Sequence, residues 1–211
     1  MKRRNCLLLL AAALVACGRK LPRAAAAVAS GSTVLALGDS ITFGTGAEPA
    51  AAYPAQLAAL TGWNVVNGGV PGDAAAQALE RLPALLAEHR PALVIVSIGG
   101  NDFLRRLPEA DTAAAIRRSV ALSREAGAQV LLVAVPQPSI GAALGAGLSD
   151  HPLYERLADE LKLPLHAKGW SRVLGDDKLQ SDQIHANAAG YRAFAKGLAA
   201  TLRELGFLTG P

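Results

Sequence analysis

From Thr33 onward, short uninterrupted apolar runs alternate with longer segments whose apolar residues recur every three or four positions. The runs Thr33–Leu37, Trp63–Val66, Leu93–Ile98, Gln129–Val135 and the shorter Leu163–Leu165 read as strands. Between and after them, Ala52–Leu60, Ala74–Glu88, Thr112–Ala126, Leu153–Leu161 and Ala188–Leu205 carry helical periodicity. Strands that are nearly continuous Val, Ile and Leu must be covered on both faces, and strict alternation with helices calls for crossover connections. The pattern therefore predicts an α/β fold: a parallel sheet sandwiched between two helical layers. Pro83 falls inside the second helical segment, where it costs about 3 kcal/mol, so a kink or break is expected there. Ile140–Ser149 follows a strand end with three Gly, three Ala and almost no charge, which reads as a mobile loop over a site.

The N-terminus differs in kind. Lys2, Arg3 and Arg4 precede an apolar run from Cys6 to Ala16 that is too short to span a bilayer and has the build of an export signal. The run closes Leu14-Val15-Ala16-Cys17-Gly18, which resembles a lipobox, with Cys17 as the lipid-modified first residue of the mature chain. The alternative is ordinary cleavage after a later alanine such as Ala27 or Ala29, releasing a soluble periplasmic or secreted protein. The first reading divides the chain into a signal (1–16), a lipid-anchored tether (17–32) and one domain (33–211), exported and held on a membrane facing the periplasm or cell exterior.

Composition narrows the partners. The formal net charge of +4 belongs mostly to the signal, because removing residues 1–16 leaves 18 basic against 17 acidic residues. A mature chain so balanced has no basic face for nucleic acid. Cys6 goes with the signal, so the mature chain holds one cysteine and builds no internal disulfide.

Three strings at strand ends or near the C-terminus carry the candidate chemistry. Gly38-Asp39-Ser40 follows the first strand and presents a hydroxyl at the C-terminal edge of the sheet, where open α/β folds place their ligands. Gly99-Gly100-Asn101-Asp102 follows the third strand, and the Asn101 amide can donate to a developing oxyanion. Asp182 and His185 stand three residues apart, so in a helical turn the carboxylate reaches the imidazole Nδ1 and turns Nε2 toward Ser40. Gly72, after the second strand, can offer an amide unobstructed by a side chain. Each string alone also reads as an ordinary turn or helix cap. One Asp with one His falls short of a metal site, and His89, His151 and His166 stand in no comparable string.

In this order, Gly38-Asp39-Ser40, Gly72, Gly99 to Asp102 and Asp182 to His185 resemble the four blocks of the SGNH, or GDSL, hydrolase family. The stretch from Val65 to Asp102, with Arg81-Leu82-Pro83-Ala84-Leu85-Leu86, is similar to the bacterial branch of thioesterase I, lysophospholipase L1 and arylesterases. The resemblance implies a five-stranded parallel sheet in a flavodoxin-like sandwich and a cofactor-free serine esterase. It makes Ser40 the nucleophile, His185 the base, Asp182 its partner, and Ser40 N–H, Gly72 N–H and the Asn101 amide the oxyanion hole. The G-x-S-x-G elbow of α/β-hydrolases is not met, since Thr42 stands two residues after Ser40. Ile140, Leu144 and Leu148 are the candidate substrate-binding residues and, with membrane attachment, favour short to medium acyl chains or lysophospholipid, to which the resemblance adds aryl esters and thioesters. The rival expectations are a carbohydrate O-acetyl esterase and a ligand-binding lipoprotein without turnover.

Overall fold

The computed structural model describes residues 22–138 and 147–209. Five strands, β1 (Thr33–Gly38), β2 (Asn64–Gly69), β3 (Leu93–Ser97), β4 (Gln129–Val133) and β5 (Leu165–His166), form one sheet in the order β2-β1-β3-β4-β5. Every pairing is parallel, so the three-layer α/β expectation is met. The central β1 and β3 are almost wholly buried, which is why their apolar runs show no alternation. β2, at the sheet edge, is half exposed.

The main helices are α2 (Tyr53–Thr61), α3 (Ala75–His89), α5 (Glu109–Glu125), α6 (Leu153–Leu161) and α8 (Ala188–Glu204). Three short ones were not expected: α1 (Ser40–Phe43), α4 (Gly100–Leu104) and α7 (Gly169–Val173). At four or five residues each they are too short for a periodic signal to emerge. α3 runs through Pro83 without a break. Pro83 is exposed, so its ring faces solvent and does not disturb the packing of the buried Ala78, Leu82 and Leu86. β5 begins two residues later than expected, because Pro164 has no amide to give the ladder and enters only by accepting from Leu132 N.

Part of the stretch read as a tether, 17–32, packs on the domain. Val28 is buried and its carbonyl accepts from Trp63 Nε1 at 3.1 Å. Gln129 clasps the segment from the side, receiving the Ala25 amide at 2.8 Å and donating to the Ala26 carbonyl at 2.8 Å. Ala24 N and Val28 N donate to the Leu205 and Phe207 carbonyls just beyond α8. Ordered packing therefore begins well before Thr33.

Trp170 on α7 anchors the layer that later carries the histidine. It is fully buried, stacked on Phe194 at 3.6 Å and edge-on to Tyr53 and Tyr191, with Nε1 donating to Ser97 Oγ at 3.1 Å. Trp170→Ala is expected to cost about 3–5 kcal/mol in denaturant unfolding, among the largest losses from any single truncation outside the sheet.

Candidate active site

All the sequence-predicted polar groups lie at the C-terminal edge of the sheet. Ser40 opens α1 directly after β1, Gly72 sits in the turn after β2, Asn101 lies in the first turn of α4 after β3, and the Asp182–His185 segment precedes α8. The approach at the end of β1 is close. A Cβ on Gly38 would overlap Thr42 Oγ1 and the Ser97 carbonyl, so only glycine lets the chain turn there. At the third block the left-handed residue is Gly99 (φ +119°), which leaves Asn101 in helical geometry.

Ser40, His185 and Asp182, 145 residues apart at the extremes of the set's first contact, meet in one line. His185 Nε2 is 2.9 Å from Ser40 Oγ, and His185 Nδ1 is 2.8 Å from Asp182 Oδ2 and 3.0 Å from Oδ1. A carboxylate facing Nδ1 fixes the Nδ1–H tautomer and leaves Nε2 an acceptor for the serine proton. The local structure differs from the expected helical turn. Asp182 Oδ1 accepts the amides of Ile184 (2.9 Å) and His185 (2.8 Å), and Ser181 N donates to the His185 carbonyl. An aspartate-capped turn, closed by a bridge between Gln180 and Ala186, thus brings the two side chains together. Partial burial pushes the Asp182 carboxyl up, but the bonds from the His185 ring and the two amides outweigh it and hold the group below the usual range.

Asn101 Nδ2 donates to the Asp73 carbonyl at 3.0 Å. Gly72 takes φ +86°, its carbonyl accepts from Arg105 at 2.7 Å, and among the described residues its amide meets no protein acceptor. Behind these groups lie three buried carboxyl groups that no sequence pattern joins. Asp73 receives Arg81 Nε at 2.8 Å, while Asp102 accepts from Ala75 N (2.9 Å) and Thr112 Oγ1 (3.0 Å). Asp39 caps α1 through the Ile41 amide at 3.1 Å. Burial pushes the Asp39 carboxyl up to about 7; the Ile41 amide opposes this, and the nearby Asp102 and Asp73 charges add to it.

A cavity of about 440 Å³ opens over Ser40 and Asn101. Its lining combines apolar residues, among them Leu104, Val135, Pro136, Pro138, Leu148 and Leu174, with the polar Asp177, Gln180 and Gln183. Leu148 lines this cavity, whereas Ile140 and Leu144 lie outside the described residues, as does Cys17. Leu104, at the end of the five-residue α4, and Leu174, the cap just beyond α7, were missed because segments this short carry no periodic signal. Across Leu148 a second cavity of about 520 Å³, lined in part by Asp150, Lys168 and Arg172, touches neither Ser40 nor His185. Two further histidines are structural: His151 stacks on Phe103 at 3.9 Å, and His166 bonds Thr201 at 2.8 Å with its pKa pushed by burial to about 4; His89, at the end of α3, lies 3.7 Å from Glu88.

Residues 36–193 match the GDSL-like Lipase/Acylhydrolase family. The chain is 35% identical over 183 residues to Thioesterase 1/protease 1/lysophospholipase L1 of Escherichia coli K12, covering 84% of this chain and 86% of the relative. Esterase TesA of Pseudomonas aeruginosa is 32% identical over 186 residues, covering 84% and 90%. A crystal structure of TesA superposes with a TM-score of 0.72 at 32% identity, over 82% of this chain and 99% of the other.

The raised pKa of Asp39 sets a direction for stability. Between the ordinary carboxyl pKa and about 7, the unfolded chain has released a proton that the folded chain still holds, so stability falls as pH rises through that window. Asp39→Asn keeps the cap oxygen and removes the titration. Its melting temperature relative to the parent is expected to rise between pH 4 and pH 7.5, measured by thermal melts across that range.

Proposed function

The chain belongs to the GDSL-like lipase/acylhydrolase family and is a serine hydrolase acting on ester bonds, and we propose that Ser40, His185 and Asp182 carry its reaction. The observation that carries this reading is the unbroken relay from Asp182 through His185 to Ser40, opening on the cavity that Asn101 also lines. Ser40 Oγ attacks the ester carbonyl carbon as its proton passes to His185 Nε2. The oxyanion that forms accepts from the amides of Ser40 and Gly72 and from Asn101 Nδ2. The intermediate collapses when His185 returns the proton to the leaving oxygen or sulfur. Water, deprotonated by the same imidazole, then releases the acid and restores the serine. Asp182 stays ionised throughout, which its depressed pKa favours.

The substrates are short to medium acyl esters and aryl esters, with thioesters and lysophospholipid in the same class. The apolar lining residues from Leu104 to Leu174 support an acyl chain over an acetylated sugar. With p-nitrophenyl butyrate, Ser40→Ala and His185→Ala are expected to abolish measurable turnover, and Asn101→Ala to lower kcat on the order of 10²–10³-fold. Parent-like rates in any of the three overturn the assignment, and faster turnover of acetylated glycans than of butyrate esters overturns the acyl-chain preference.

The protein is exported and held on its membrane by a lipid on Cys17. Cleavage there retains the contacts of Arg23 to Val28 with the domain, whereas cleavage after Ala27 or Ala29 removes the segment that Gln129 clasps. Metabolic labelling with a tagged palmitate is expected to mark the parent chain in bacterial cells and to be lost in Cys17→Ser. Labelling that survives this substitution refutes the anchor.

A further inference from the structure

We propose that Arg81, remote from the reacting atoms, is the positioning residue of the oxyanion hole and acts through Asn101. The inference rests on the oxyanion role of Asn101 given above. Arg81 projects from α3 and forks. Its Nε donates to Asp73 Oδ2 at 2.8 Å, and its Nη2 donates to the Gly38 carbonyl at 2.8 Å. Gly38 ends β1, two residues before Ser40, and its carbonyl also receives Val70 N from the end of β2. Asp73 follows Gly72, and its own carbonyl receives Asn101 Nδ2.

One guanidinium thus ties together the turn before the serine and the turn of Gly72, and through Asp73 it fixes the plane of the Asn101 amide. An Asn amide has two N–H bonds. With one committed to Asp73, the other is left for an acceptor in the cavity that Asn101 shares with Ser40. The geometry needs an arginine. A planar fork with several donors spans two acceptors on different loops in fixed directions, which a lysine ammonium does not. The Arg81 and Asp73 side chains are 24% and 10% exposed, so the pair is shielded from water and holds a defined geometry. An additional clamp, the Arg105 guanidinium on the Gly72 carbonyl, acts on the same turn but bonds neither Asp73 nor the Asn101 side chain.

A displaced oxyanion donor weakens transition-state binding more than substrate binding, so the loss belongs in kcat. The test is a double-mutant cycle on p-nitrophenyl butyrate using Arg81→Met, Asn101→Ala and the double variant. Arg81→Met is expected to lower kcat about 10–100-fold with KM within about threefold, by analogy with the effect of small misplacements on rate. In the Asn101→Ala background the same substitution is expected to cost at least fivefold less. Arg81→Lys, carried through the same cycle, is expected to fall between parent and Arg81→Met with the same non-additivity, and it decides the question if the methionine variant does not fold. Equal losses in both backgrounds, a loss confined to KM, or no loss at all overturns the proposal. Parent-like kcat in Asn101→Ala alone instead removes the oxyanion reading beneath it, so the two failures are told apart.

Discussion

Three carboxyl groups buried behind one serine constrain everything at the C-terminal edge of this sheet. Asp39, Asp73 and Asp102 are each less than a tenth exposed, and a buried carboxylate without partners would cost several kcal/mol. Each is compensated differently. Asp39 shares an amide and holds its proton toward neutral pH, Asp73 meets a guanidinium, and Asp102 accepts from a backbone amide on α3 and a hydroxyl on α5. Because the donors to Asp73 and Asp102 come from other elements, satisfying those two groups also locks the loops. α4 cannot shift relative to α3 without stranding Asp102, nor can the Gly72 turn shift relative to α3 without stranding Asp73. Precise placement of the serine edge is thus a by-product of solvating charge inside the protein.

The histidine side is held by different means. Its turn is exposed, and Asp182 is half open to water, yet His185 Nε2 arrives at 2.9 Å from the serine. The turn is fixed locally by the two amides on Asp182 Oδ1 and from behind by Asn187, which caps α8 through Gly190 N and donates to the Lys178 and Gln180 carbonyls. α8 in turn packs Phe194 on Trp170, whose indole reaches Ser97 on β3. The base is therefore referenced to the same sheet as the nucleophile, through an aromatic stack rather than through charge.

What could be read from the sequence follows from how local each signal is. The apolar runs of β1, β3 and β4 and the periodic α6 and α8 announce themselves within a few residues, and so do the site strings, because their residues are neighbours in the chain. The Arg81 fork was not legible, since its acceptors lie 8 and 43 residues away and nothing in an i,i+4 pattern marks them. The turn at Asp182–His185 defeated periodic reasoning in another way: three-residue spacing suits a helix, but an aspartate that captures its own downstream amides gives the same side-chain contact without one. Residues 22–32, rich in alanine, read as linker by composition, whereas tertiary partners such as Gln129, Trp63 and the Leu205 and Phe207 carbonyls make them part of the domain.

That docked segment also bears on how the site meets substrate. Ala24 and Arg23 bond to carbonyls at the C-terminal end of α8, while the N-terminal cap of the same helix adjoins the histidine turn. At 1.5 Å per residue, α8 separates the two by about 25 Å. Between Cys17 and the first described residue there are four residues, a reach of at most about 18 Å even when fully extended. A lipid at Cys17 would hold the opposite end of the domain to its bilayer and turn the serine edge outward. On that geometry esters would arrive from the aqueous side, and the lining residues Leu104, Leu148 and Leu174 would take up the acyl chain from water rather than sideways out of a membrane. The driving force is then burial of the chain against those residues, about 0.8 kcal/mol for each methylene removed from water, which makes acyl length the main lever on affinity until the cavity is full.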